Sequence, residues 1–294
     1  MLRYEVVDVF TATPFAGNPL AVVLGTEGLA TEQLQALARE FHLSETAFPT
    51  VLEDDPDADY AMRIFTPETE LPFAGHPTVG TAWVLARLGH VLTGPLRQRC
   101  GAGTYDLDVA AAPGGGPGRV ELDGGAPDVG GELAADRLLE AVGLGPDDVA
   151  APPRRAGTGL GWTHLTVRHG AVARAVADVT RLRAVADLAP VGVYLHEVHH
   201  APHGLDVRAR AFTPELGVTE DPATGSAALG LGGHLVASGL APGDGTTAYV
   251  VRQGVEMGRP SVLHALVAAS GGAATGTRVA GDVVPVASGE VRVP

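Results

Sequence analysis

The sequence predicts a strand-rich α+β chain built as two related halves, and three observations carry that expectation. The pattern RxFTPE occurs twice, at residues 63–68 and 210–215. Each copy leads within about a dozen residues into a segment of small and polar residues, HPTVGTA over 76–82 and DPATGSA over 221–227, and then into an apolar run. A repeat at half the chain length means duplication; solenoid periods are several-fold shorter. The 40 glycines and 22 prolines, set among short Val-rich runs, mark many turns and short strands. A length of 294 residues gives two domains of ordinary size, each able to bury its own core.

In order along the chain, alternation predicts a strand over 4–10, a turn over 13–19 and a second strand over 20–24. Thr31 caps a helix with Leu34, Leu37 and Phe41 on one face, ending near His42. A strand opens at Ser44 and Glu45, another at Met62, and the first repeat segment then leads into a helix ending near Gly89. A hairpin turns at 101–103. Residues 110–118, rich in Ala, Gly and Pro, read as a linker, and with no helix directly after it the glycine run 114–116 is no phosphate loop. Helices are expected over 132–142, 171–178 and 182–188, and strands over 161–168, 191–198 and 205–212. The second repeat segment and its helix follow, then strands over 247–252 and 262–268, and one or two closing strands over 279–293. The domains are expected at 1–117, completed by 278–294, and at 118–277.

The repeated segment has the character of a site. His76 and Asp221 each precede a proline, which is favoured at the first helical position, so both read as helix caps. Small residues follow, Thr78, Gly80 and Thr81 in one copy and Thr224, Gly225 and Ser226 in the other. They leave open two helix entrances whose backbone N–H groups and positive dipole end favour a carboxylate. Two such halves facing each other would aim a His and an Asp at one crevice.

Composition narrows the chemistry. Net charge is −14 and every side-chain cation is arginine. The missing lysine excludes Schiff-base pyridoxal chemistry and a P-loop ending in GK[ST]. The acidic balance argues against nucleic acid, and no apolar run reaches the ~18 residues of a membrane helix. The single cysteine, Cys100, excludes an intrachain disulfide or two-thiol mechanism. The start of the chain carries no signal-peptide pattern, so a cytoplasmic location is expected. His196, His199, His200 and His203 cluster in sequence, but with loose spacing and no accompanying carboxylate or thiol pattern they are not expected to bind metal.

Five motifs in order resemble the phenazine-biosynthesis isomerase (PhzF-like) family. They are VDVFTATPFAGNPLAVV over 7–23, with Asn18 and Pro19; SETAF over 44–48; FTPETELPFAGHPTVGTAW over 65–83; ARAFTPELGVTEDPATGSAA over 209–228; and QGVEMGRPS over 253–261. The resemblance implies the diaminopimelate-epimerase-like fold, two pseudo-symmetric domains each wrapping a curved, mostly antiparallel sheet around a central helix, with the active site in the cleft between them. It implies a cofactor-independent, metal-free isomerase that moves a proton between carbons of a small, cyclic carboxylate, and a homodimer. It assigns acid/base work to Glu45, with His76, Asp221 and Ser226 in support. Asn18, Gly75, Thr78 and Gly225 complete the expected substrate-binding set. The two-cysteine racemases of this fold are set aside, because the matching turns carry His76 and Asp221 and no thiol. A tautomerase or lyase using the same groups, or a non-catalytic metabolite-binding protein, fits the same residues.

Overall fold

The structure, a computed structural model, describes residues 1–110, 118–202 and 204–294. Most of the expected linker over 110–118, its glycine run and His203 lie outside the described residues. The chain divides into two compact units, Met1–Asp123 with Ala280–Pro294, and Gly124–Val279.

The first unit contains β1 (Leu2–Val9), β2 (Asn18–Val23), α1 (Thr31–Phe41), β3 (Glu45–Val51), β4 (Tyr60–Phe65), β5 (Glu70–Leu71), α2 (Gly75–Arg87), β6 (Gly94–Cys100), β7 (Gly103–Val109) and the start of β8 (Gly118–Gly125). β2 runs parallel to β3, β3 antiparallel to β4, and β4 pairs antiparallel with β5 and parallel with β6, which turns back into β7. The closing strand β17 (Ala273–Val291) lies antiparallel to β1, with Leu2 opposite Val291.

The second unit contains β9 (Asp128–Glu132), α3 (Asp136–Ala141), β10 (Arg154–Gly157), β11 (Trp162–Thr166), α4 (Ala171–Arg174), α5 (Val179–Ala184), β12 (Val193–Ala201), β13 (Gly204–Thr213), β14 (Val218–Asp221), α6 (Gly225–Ala237), β15 (Gly245–Gln253) and β16 (Ser261–Ser270). Its pairings repeat those of the first unit. β11 is parallel to β12, β12 antiparallel to β13, and β13 antiparallel to β14 and parallel to β15, which turns back into β16. Each unit carries a 13-residue helix between its short strand and the next long one.

These two helices are the cores of their units. All residues from Gly75 to Leu85 in α2 and from Gly225 to Val236 in α6 are buried. A helix enclosed on every side needs apolar or small residues all round, rather than one apolar stripe. Gly80 and Gly230 mark the tightest approaches. A Cβ at Gly80 would lie 2.6 Å from the Leu20 side chain, and one at Gly230 2.5 Å from the Ala156 carbonyl oxygen.

The repeat proves to be held by an arginine clamp. Arg63 on β4 grips Glu70 on β5 through two hydrogen bonds of 2.8 and 2.6 Å and covers the Phe65 ring at 5.1 Å. Arg210 on β13 grips Glu220 on β14 at 2.8 Å twice and covers Phe212 at 4.8 Å. The Arg and Phe of RxFTPE thus do the same work in both units, with a glutamate from the adjoining short strand.

This clamp corrects the alignment read from sequence. Phe65 stands opposite Glu70, and Phe212 opposite Glu220. TELPFAGH over 69–76 therefore matches TEDPATGS over 219–226, and the second copy carries three more residues, 216–218, before that segment. Gly75 corresponds to Gly225 and His76 to Ser226, while Asp221 corresponds to Leu71.

The capping expectation is corrected with it. α2 starts at Gly75 after Ala74, so His76 lies inside the first turn. α6 starts at Gly225 after Thr224, and Asp221 ends β14, where Ala211 opposite it keeps the backbone extended. Likewise α1 is preceded by Ala30, whose N–H is bound by the Gln33 side chain at 3.0 Å, so Thr31 is the first helical residue.

Other differences have local causes. The helix expected over 132–142 shrinks to α3 because Glu132 is held in β9, opposite Arg154, which donates to its carboxylate at 2.7 Å. The helix expected over 171–178 stops at Arg174. Val176 N–H turns to the Val142 carbonyl, and Asp178 caps α5 by accepting from Thr180 and Arg181 N–H groups at 2.9 and 3.1 Å. The close of the chain is one 19-residue strand, which passes a register shift opposite Val6 and Val7 without breaking.

Candidate active site

In the first unit three of the motifs converge on one imidazole. The turn before β2 ends at Gly17, whose φ is +66° and whose place no side chain can take, since a Cβ would lie 2.4 Å from the Val9 carbonyl oxygen. That turn delivers Asn18, fully buried, to the start of β2. Ser44 donates its hydroxyl to Asn18 Oδ1 at 3.1 Å, and Asn18 Nδ2 lies 3.2 Å from His76 Nδ1. Glu45, the first residue of β3 and opposite Leu20 of β2, brings Oε2 to 3.5 Å from His76 Nε2. Asn18, Glu45 and His76 thus form one line of polar groups, amide to imidazole to carboxylate.

The state of that imidazole follows from its surroundings. Burial pushes the His76 pKa down to about 3, against the smaller opposing pull of the Pro19 carbonyl. The ring is therefore neutral near pH 7, and Glu45 Oε2 is a close polar neighbour of Nε2 at 3.5 Å rather than its partner in an ion pair or a formed hydrogen bond. With the Asn18 amide donating to Nδ1, the ring proton sits on Nε2, the nitrogen nearer Glu45. Thr78 closes the first turn of the helix beneath, donating its hydroxyl to the Ala74 carbonyl at 2.9 Å. Its hydrogen is committed there. Gly75 is the first residue of α2, and Ala74 before it has no side-chain cap to offer.

In the second unit Asp221, Gly225 and Ser226 gather around the start of α6. Thr224 donates its hydroxyl to Asp221 Oδ2 at 2.6 Å. Ser226 Oγ accepts from the Trp162 indole N–H at 3.0 Å, which leaves the serine hydroxyl hydrogen free to turn toward a ligand. Gln253, the first residue of the last motif and without an expected role, ties this turn together. Its amide nitrogen donates to the Asp221 carbonyl at 2.7 Å and to Thr224 Oγ1 at 2.9 Å. Its oxygen accepts from Thr224 N–H at 3.3 Å and from Tyr194 OH at 3.1 Å. A glutamine two residues beyond the apolar run Tyr249-Val250-Val251, on the same strand face as Val251, was the available signal. Trp162 left none.

The histidine run divides. His196 turns inward, where Thr166 Oγ1 lies 2.9 Å from His196 Nε2 and 2.7 Å from His234 Nε2, with His164 stacked on His234. Burial holds His196 down at about 4, and holds His164 and His234 well below the usual imidazole value. His199 faces elsewhere, toward His169. Cys100 is half-buried at the end of β6, and burial pushes its thiol up.

Comparison with known proteins gives the family of the chain. The family model described as "Phenazine biosynthesis-like protein" matches residues 7–289. The chain belongs to that family. It is 36% identical to an uncharacterized isomerase of Mesorhizobium japonicum, covering 98% of each chain. It is 34% identical to the trans-2,3-dihydro-3-hydroxyanthranilate isomerase of Pseudomonas aeruginosa, over 98% of this chain and 99% of that one. The crystal structure of the PhzF-family phenazine biosynthesis protein of Bacillus anthracis superposes with a TM-score of 0.85 at 24% identity, over 99% of each chain, and so shows the same sheet-rich α+β fold. With relatives named as isomerases along its whole length, this family member is an isomerase. Among the described residues no helix is long and apolar enough to cross a membrane.

Proposed function

We propose that this family member is a cofactor-independent isomerase that moves a proton between carbons of a small, cyclic, carboxylate-bearing metabolite. The reading rests on one observation above the rest, the Glu45 carboxylate meeting a neutral His76 imidazole at 3.5 Å. A proton shift needs a group that takes a proton from one carbon and returns it to another, and a carboxylate can do both. Glu45 takes that role. One proton leaves the substrate for Glu45 and one returns from it, after exchange with solvent in D2O, so neither an oxidant nor a co-substrate is required.

His76 orients the carboxylate and offers its Nε2 hydrogen to negative charge that develops as the C–H bond breaks. A neutral imidazole serves here as a hydrogen-bond donor, because burial denies it the charged form. Asn18 fixes the ring from its other side. Asp221 holds a substrate amine or hydroxyl, Ser226 donates its hydroxyl, and the backbone at Gly75 and Gly225 receives the carboxylate at a helix N-terminus. Recurrence of the same strand pairings and arginine clamp in both units supports a pseudo-symmetric pair of domains.

The substrate of the Pseudomonas relative, trans-2,3-dihydro-3-hydroxyanthranilate, is the first probe to use. Incubated with the protein in D2O and followed by proton NMR, it should isomerise with deuterium entering the ring. Incubation of that probe and a panel of cyclic amino and hydroxy acids with no isomerisation and no exchange would overturn the reading. Affinity without turnover would favour a metabolite-binding protein instead.

A further inference from the structure

We infer that His169, Glu197 and His199 form a binding site for one divalent transition-metal ion, zinc by preference, in the second unit. His169 lies in the turn between β11 and α4; Glu197 and His199, two residues apart on β12, share one face of that strand. The parallel pairing of β11 with β12 sets Thr166 opposite His196, which brings the turn holding His169 over that face.

The three donor atoms make a nearly equilateral triangle. His169 Nδ1 lies 3.3 Å from His199 Nε2 and 3.6 Å from Glu197 Oε1, and His199 Nε2 lies 3.5 Å from the same Oε1. An ion with Zn–N and Zn–O distances of about 2.1 Å and tetrahedral angles separates its ligands by about 3.4 Å. Octahedral angles at that distance would separate them by about 3.0 Å. The observed edges fit the tetrahedral case with almost no movement. Two imidazoles and one carboxylate, with no thiolate, suit zinc among the common divalent ions, and three protein ligands leave a fourth position for water.

The site is built rather than casual. The Glu197 side chain is only 4% exposed, and its second oxygen accepts the Gly170 N–H at 2.7 Å, which fixes the carboxylate from behind. His169 is 83% exposed, so an ion can arrive from solvent. Asp206 stands opposite His199 on β13 and adds negative charge, while Arg208, opposite Glu197, is taken up by Glu256. The sequence concealed this trio because its histidines come from separate segments and its carboxylate lies between two histidines of a run with no ligand spacing.

The test uses the full chain stripped of metal and without a histidine tag. Calorimetric titration with Zn2+ at pH 7.5 should show one equivalent bound, and Co2+ in its place should give the intense visible absorption of a tetrahedral complex. His169→Ala should weaken Zn2+ binding by at least about 10-fold. Because that side chain is exposed, the variant's circular dichroism should be unchanged. His199→Ala should behave alike, while His200→Ala, one residue along the strand, should bind as the parent does. No binding, or binding that survives both His169→Ala and His199→Ala, would overturn the inference.

Discussion

His76 stands between Asn18 and Glu45, 3.2 Å from the amide through one ring nitrogen and 3.5 Å from the carboxylate through the other. The amide therefore governs which nitrogen carries the ring proton and where that proton points. Asn18→Ala should leave the fold intact yet lower the rate of deuterium entry from D2O by about 100-fold, the cost of a catalytic group misplaced by roughly 1 Å. KM should change far less than kcat. A matched rise in KM with kcat untouched would mean that Asn18 only binds substrate.

Acid should weaken the fold through its buried imidazoles. His76 and His196 are held at about 3 and about 4, and His164 and His234 also titrate well below the ordinary value near 6.5. Their folded pKa values are depressed, so between those values and about 6.5 the unfolded chain binds more protons than the folded one. Stability is full above about pH 6.5 and is lost as pH falls below it, approaching about 1.4 kcal/mol per pH unit for each such histidine. Urea midpoints measured from pH 7.5 down to 5 should decline accordingly. Replacing His164 with Phe should flatten the decline; a flat profile in the parent would contradict the neutral cluster.

The two arginine clamps should differ in worth. Arg210 and Glu220 have side chains 10% and 16% exposed, whereas Arg63 and Glu70 are 39% and 38% exposed. Arg210 also donates to the Ala175 carbonyl at 2.6 Å, so its charge is enclosed by the fold. Removing the partner of a buried charge costs about 3 kcal/mol or more, while an exposed pair contributes about 1 kcal/mol or less. Glu220→Ala should accordingly lower the urea midpoint much further than Glu70→Ala. The reverse order would mean the clamps do not hold their short strands in place.

The central helices give a second contrast. Gly80→Ala meets the end of the Leu20 side chain, which can turn aside, whereas Gly230→Ala meets the Ala156 backbone carbonyl, which cannot. The first should cost about 1–2 kcal/mol, in the range of ordinary overpacking, and the second more. Thermal unfolding of the two variants side by side checks this.

Much of this was legible in the chain because the repeat carries its own physics. RxF recurs since each arginine must reach a glutamate and cover a phenylalanine, and the hydrophobic runs after each copy are helices that their units enclose. The register was not legible. HPTVGTA and DPATGSA look alike because both are small-residue helix entrances, but a string of Gly, Ala and Thr fits at several offsets. Only the strand pairing of Phe65 with Glu70 and of Phe212 with Glu220 selects the offset that sets His76 against Ser226. The grouping of Asn18, Ser44, Glu45 and His76 depends on β2 lying parallel to β3, a long-range pairing with no local signature. For the same reason His169 stayed invisible beside Glu197, 28 positions away but brought near by another parallel pair.

The most direct test of the account is deuterium entry into the cyclic carboxylate probe, catalysed by the parent and by Glu45→Gln at equal concentration in D2O. Gln keeps the shape of the side chain but can neither take nor return a proton. Glu45→Gln should retain affinity for the probe and lose exchange by at least about 100-fold. Exchange at the parent's rate in Glu45→Gln would contradict the account.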